Sequence, residues 1–446
     1  YDDAFVAYLN GIEITRANIG VTGTPTPFNE LAFNEHEALL YKGQLPENFK
    51  IDMSVLKSAM VNGTNVLAIQ VHNVNYNSSD LSAIPYLLFG IKDNSTFYGP
   101  PPVWFDGGKS SLHTNFKLSG TGETIYLSNA SQTVINQLSF PYLQPDNSYG
   151  RFPDASAALV YFGVPTPNST NNSSVSSSGY VSDPVFTLPA GFYNGAQTLA
   201  LSNITPGATI RYTADGSTPK QTSTLYSSPI AIDSTTVIRA RAFVGSGLLP
   251  SEVLTSTYFI NEDATLPIIS LSTNSGYLFD WNTGIYVLGP NAETQVPFFN
   301  ANFWQEWEIP AHIEYFDKQK QRAFEQVIGL EIQGNYSRSL PQKSFKVVAR
   351  GSYGKSSIDY QFFPDKAIIS FKQIILRNAG NDWNNLHFRD AAIHKLSQKK
   401  TDLDVQDYQP CLVFINGKYW GVYNIREKIN KDYIAENHGV NPDSVD

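Results

Sequence analysis

The sequence predicts a mainly β chain of tandem β-sandwich domains, and three features point there. Strand-length runs of β-branched and aromatic residues recur between Asn-Gly, Asp-Gly and Pro turn signals, with little helical periodicity. Aromatic residues make up 13% of the 446 residues and Asn, Ser, Thr and Gly are plentiful, which suits half-buried pleated surfaces joined by polar turns. No apolar run approaches the ~20 residues that a transmembrane helix needs, so the chain is not expected to span a membrane.

Charge and cysteine content narrow the function classes. A formal net charge of −9, from 31 basic and 40 acidic residues, is mild for this length and argues against nucleic acid as a partner. The single cysteine, Cys411, excludes an internal disulfide framework. Its setting, Pro410-Cys411-Leu412-Val413, reads as a small buried hydrophobe, whereas a reactive thiol needs an accessible electropositive site. No signal peptide is visible, yet the chain opens at Tyr1 inside a strand pattern without an initiator Met, and both ends read as cut from a longer chain.

The elements follow in order. In residues 1–102 a strand at Ala4–Leu9, a turn at Asn10-Gly11 and a returning strand at Ile12–Arg16 form a hairpin signature, and a further strand run lies at Asn65–Asn73. These two stretches resemble the C-terminal half of galactose-binding-like jelly-roll modules. Such modules bind sugars in some proteins and space domains in others. Residues 103–168 hold the run His113–Ser128 and the turn region Asp146–Arg151, and resemble a lamin-tail-type immunoglobulin-like domain. There Ile125, Leu127, Val134 and Leu138 are expected to face a small sandwich core. His113 reads as a surface histidine, because no second histidine or cysteine stands near it at metal-ligand spacing.

Residues 169–182 are Ser-, Asn- and Thr-rich, too small and polar to bury anything, and are expected to form a flexible linker. Beyond them, in residues 183–262, Val237–Ala242 alternates with period two: Val237, Arg239 and Arg241 on one face, Ile238, Ala240 and Ala242 on the other. With Ile210–Pro219 and Tyr226–Ile230, this strand resembles the small sandwich at the C-terminus of chitobiases and β-hexosaminidases, an accessory domain without catalytic residues. Asp215-Gly216 reads as a turn, since no second carboxylate is placed to make a glycosidase pair. Asp233-Ser234-Thr235 resembles an O-glycan acceptor pattern at Ser234 and equally fits an ordinary turn.

The last segment, 263–446, carries the most specific pattern. Asn416-Gly417 lies between two strand-like runs and predicts a type I′ hairpin. Lys343, Lys346 and Arg350 follow a turn at Pro341 and alternate with Phe345 and Val347, so a strand there presents basic side chains either to solvent or to a phosphate. The stretches Gly329–Lys346, Leu376–Trp383, Phe388–Asp390 and Val413–Lys428 resemble the spore-coat-protein-kinase (CotH) family of atypical protein kinases. That resemblance implies an α+β N-terminal lobe after the jelly-roll and immunoglobulin-like sandwiches. It also implies a nucleotide gripped by Arg338, Lys343 and the region of Glu427.

Phosphoryl transfer further requires carboxylates to hold Mg²⁺ and to orient the attacking hydroxyl. The resemblance places them after the link at Tyr423–Lys428, so the acids are expected beyond residue 446. The spacing of Asp432, Glu436, Asp443 and Asp446 gives no reason to prefer them as metal ligands. Within this span, therefore, neither catalytic residues nor a metal site is expected, while ATP and Mg belong to the complete parent domain. The series of modules resembles large exported proteins of Bacteroidota-type bacteria. The expected role is adhesion, glycan contact or domain spacing at the cell surface or outside the cell, with glycans or other surface proteins as partners. An extracellular CotH-type kinase and a subunit of a larger surface assembly are the alternatives. Trp104, Trp281, Trp304, Trp307, Trp383 and Trp420 are all expected in cores or at domain interfaces.

Overall fold

A computed structural model describes residues 1–39, 46–78, 81–85, 87, 118–167, 169–398 and 400–445. Expectations placed on Trp104, His113 and Asp446 fall outside them. The chain is mainly β and divides into two compact units between residues 116 and 117.

In the first unit, Ala4–Leu9 is the central strand of a three-stranded antiparallel sheet, flanked by Ile12–Ala17 and Leu67–His72. Asn10 and Gly11 both have positive φ, 51° and 83°, as a type I′ turn requires. Successive side chains point to opposite faces, and both faces are covered. Phe5, Ala7 and Leu9 pack with Ile14 and Ala59, while Ala4 and Val6 pack with Ile19 and Ala32.

The second unit opens with the hairpin Glu123–Ser128/Val134–Phe140, whose expected core corrects as follows. Leu127 and Val134 are 60% and 50% exposed, and Ile125 and Leu138, paired across the hairpin, are only partly buried. Among the described residues these two strands form a sheet of their own, so the alternation has no second sheet to face.

The flexible linker expected at 169–182 is also corrected, because the segment is tied down along its length. Asn171 donates its N–H to Asp154 Oδ1 at 3.0 Å, Ser176–Ser177 pair with the strand Leu159–Phe162, and Val181 joins the core of the following sandwich. Small polar side chains bury little, but they hydrogen-bond neighbouring backbone readily, and here that suffices to order them.

In that sandwich a five-stranded sheet runs in the order Gly191–Tyr193, Leu254–Ile260, Thr236–Phe243, Thr209–Thr213, Thr224–Leu225. The period-two strand behaves as its sequence predicts: Ile238, Ala240 and Ala242 enter the core with Leu199, Ile232 and Tyr258. On the opposite face Arg239 is buried as well, donating to Gly216 O at 2.8 Å and to Thr255 Oγ1 at 3.2 Å.

Seven further strands close a barrel: β1 (Ile268–Ser272), β2 (Ile309–Phe316), β3 (Arg322–Gln333), β4 (Ser344–Val348), β5 (Gln373–Arg377), β6 (Tyr408–Ile415) and β7 (Lys418–Glu427). Their order is β1-β2-β3-β4-β5-β7-β6, and β6 returns to pair with β1 in parallel. Alternate residues fill the interior, among them Ile269, Ile313, Leu330, Phe345, Val413 and Ile425. Helix α1 (Arg389–Gln398) lies between β5 and β6 in sequence, and α2 (Lys431–His438) follows β7. Cys411 is fully buried in this core, and burial pushes its thiol pKa up. The β6–β7 turn is the predicted one, with φ of 51° at Asn416 and 77° at Gly417.

Sandwich and barrel do not hang as separate beads. Phe259 of the sandwich is wholly buried against Phe316 and Phe414 of the barrel, with ring centroids 5.2 and 5.1 Å away, and stacks on Phe192 at 4.6 Å. Burying one such ring contributes ~2–3 kcal/mol relative to leaving it exposed. Beside this cluster Glu314 of β2 is completely buried, 3.1 Å from Arg322 Nη1, and accepts hydrogen bonds from the Thr257 hydroxyl and backbone N–H. The barrel's hairpin tip also inserts against the sandwich: a Cβ on Gly216 would sit 2.0 Å from Asn416 Oδ1, so only glycine fits that turn.

Candidate functional site

Two chain reversals at one end of the barrel make a cleft of about 550 Å³. The first follows β3, where residues 334–337 turn into β4. The second follows β5, where Asn378 leads into a tight 3₁₀ turn at Gly380–Asp382 and then into α1. Buried Asn378 staples the two reversals together: its Oδ1 accepts from Ser344 Oγ at 2.8 Å and from Gly380 N at 3.0 Å, and its amide donates to Gln342 O. Ala379 stands in the left-handed region at φ 71°, a conformation costly for a residue with a Cβ and held here by these contacts.

The cleft wall is charged. Arg377 Nε donates to Asp390 Oδ2 at 2.7 Å, and Arg389 Nη2 lies 3.3 Å from Asp382 Oδ1. Asp382 also accepts the Arg389 N–H at 3.0 Å and the Leu386 N–H at 3.3 Å, and the first of these leads in holding its pKa below the usual carboxylate value. From behind, Arg426 places Nη1 3.4 Å from the same Asp390 oxygen while only 1% exposed, and burial lowers its own pKa. Three arginines thus stand over two carboxylates. An anion entering the cleft meets the partly exposed guanidiniums of Arg377 and Arg389.

The three residues expected to grip a nucleotide are placed differently. Arg338 and Lys343 come together, but turned inward. Arg338 Nη1 donates to the carbonyls of Phe303 and Trp304 at 3.2 and 3.1 Å, and its guanidinium lies 5.5 Å from the Trp304 ring centroid. Lys343 is 5% exposed; its Nζ donates to Arg338 O at 2.6 Å and Leu340 O at 3.1 Å and sits 3.9 Å from the Phe303 ring centroid. Burial pushes its pKa down to about 8.

Glu427 is not brought to them. Register sets it level with Ile374 and hence with Val347, four residues beyond Lys343 and two strands across, or ~13 Å along the sheet. Its partner is Lys366, whose Nζ lies 2.7 Å from Oε2 and 2.8 Å from Oε1, with Asp407 N donating to Oε2 at 2.8 Å. Arg377, Asp382, Arg389 and Asp390 stand within the quoted family stretches, but sequence reasoning assigned them no role. Ser234 is exposed in the turn between Ile230–Ile232 and Thr236–Phe243, its Oγ 3.3 Å from Asp233 Oδ1. Among the described residues no three His, Cys, Asp or Glu side chains converge as a metal-binding group.

Comparison with known families agrees with two of the modules. The CotH kinase protein family matches residues 330–445, which include both reversals of the cleft, and the chitobiase/beta-hexosaminidase C-terminal domain matches residues 188–255. The chain therefore carries a CotH-type region and, earlier in the sequence, a sandwich of the chitobiase/beta-hexosaminidase C-terminal type. No curated protein matches the chain.

Proposed function

We propose that this chain is a segment of a secreted, cell-surface multidomain protein and that its work here is to space and present a CotH-type region at a fixed angle. The galactose-binding-like and lamin-tail-like readings of the segments before residue 183, and the Bacteroidota-type origin, belong to this proposal. The observation that carries it is the joint around Phe259 and Glu314, where sandwich and barrel share buried side chains rather than a linker. A presenting arm needs such a joint, because modules on a flexible tether would sample many angles.

Nitroxide labels on Ile204→Cys in the sandwich and Leu386→Cys beside the cleft test this by pulsed distance measurement. Both positions are exposed, at 82% and 57%, while buried Cys411 stays unlabelled. A single narrow distance distribution is expected, and a broad one characteristic of a free hinge sinks the proposal.

A second reading rests on the cleft itself. Arg377 and Arg389 beside a tight turn in the CotH-type region suit a phosphate group, so the segment would be part of an extracellular kinase that uses ATP and Mg.

A further inference from the structure

The connection between β1 and β2 runs from Thr273 to Glu308 and holds only the short helix Ser275–Phe279 and a 3₁₀ turn at Asn302–Trp304, against the ~4–6 residues usual between elements of a compact domain. It contains no Lys, Arg or His. Its acids are Asp280, Glu293, Glu306 and Glu308, and only Glu308 is engaged by an arginine, Arg350, at 2.9 and 2.8 Å.

Aromatic side chains are concentrated on this loop and several stand in solvent: Trp281 is 55% exposed, Tyr277 44%, Phe279 40% and Phe299 49%. Trp281 and the 40%-exposed Trp307 thereby correct the expectation that every tryptophan lies in a core or an interface. Phe279 is backed by Trp420 and Tyr286, with centroids 5.8 and 5.9 Å away, and Trp420 Nε1 donates to Tyr286 Oη at 3.1 Å.

The backbone under these rings is fixed. Asp280 Oδ1 accepts from Asn282 N, Thr283 N and Thr283 Oγ1, each at 2.9 Å, and Asn302 Nδ2 donates to the carbonyls of Trp281 and Gly284 at 3.1 Å. The backbone that carries Trp281 is thus held before a ligand arrives, so that binding has only the side chain itself left to order.

We infer that this loop is a binding platform for a neutral oligosaccharide. Pyranose rings offer C–H faces that rest on the electron-rich faces of aromatic rings, and their hydroxyls donate to carboxylates and amides, of which this loop has both. Its charge selects further: Arg350 engages Glu308, and Arg338 and Lys343 pack against the loop from its inner side, so the exposed acids beside the rings are Asp280 and Glu293, which disfavour uronate or sulfate chains and not uncharged sugars. Protein interfaces, by contrast, are enriched in Arg as well as aromatics, and this loop has none. The inference is independent of both readings of the cleft and of the rigid joint.

The whole chain is titrated with chitohexaose, cellohexaose and, as the anionic arm, oligogalacturonate, followed by tryptophan fluorescence and calorimetry. Saturable binding of at least one neutral hexasaccharide is expected. Trp281→Ala should weaken it about tenfold and Trp281→Phe by less, while Phe28→Ala, at a 91%-exposed aromatic elsewhere, leaves it unchanged. Absence of binding by both neutral sugars overturns the inference, as does preference for the galacturonate, wild-type affinity in folded Trp281→Ala, or self-association of the chain that the same substitution abolishes.

Discussion

Lys343 illustrates what a charged side chain costs in a barrel interior. Its ammonium is held by two backbone carbonyls and an aromatic face, and burial brings its pKa from 10.5 down to about 8. Between those values the unfolded chain retains a proton that the folded chain has released, so the unfolded state binds more protons and stability from this group rises with pH. Below pH 8 both states are protonated and the burial cost is fully present. Lys343→Met should remove this slope: the melting temperature of wild type minus that of the variant grows as pH is raised from about 8 to about 10. A difference that stays constant over that range would show the lysine to be solvated. Its inward direction is legible, because period two sets Lys343 on the face of Phe345 and Val347, but the carbonyls and the ring that receive its ammonium are not.

At the scale of elements, both Asn-Gly hairpins were legible because a type I′ turn is specified by two adjacent residues. The same holds for Ile238, Ala240 and Ala242, whose period is local. What pairs with what was not legible. Glu427 meets Lys366 across 61 positions that hold three strands and a helix, and β1 closes on β6 by a parallel pairing that no periodicity announces.

The cleft shows the mixed case. Its segments stand out in sequence, but which basic side chains face the opening depends on how Asn378 joins the two reversals. If the cleft takes MgATP, Arg389→Ala should weaken its binding about tenfold in calorimetric titration, as loss of one charge-assisted contact does, and Lys343→Met should leave it unchanged. Equal losses in the two variants, or a loss in the lysine variant alone, would return the phosphate to Lys343.

Across the molecule, the sandwich and the barrel are expected to melt as one. Removing the shared ring by Phe259→Ala leaves a cavity among Phe192, Phe316 and Phe414 and should cost ~3–5 kcal/mol. Calorimetry of the whole chain should then resolve separate transitions for two modules that share one transition in the wild type. A loss below ~1 kcal/mol with a single transition retained would mean that the ring adds nothing to the coupling.

The parallel closure of the barrel also sets a schedule for biosynthesis. Ile268 borders Phe316 on one side and Leu412 on the other, so the second neighbour leaves the ribosome only after almost the whole region has been made. Until then β1 has an open edge, and the face of Phe259 that Phe414 will cover remains wet. The nascent sandwich therefore waits, incompletely covered, for a strand that arrives last, and a chain truncated before Leu412 would carry that sticky edge wherever it is delivered.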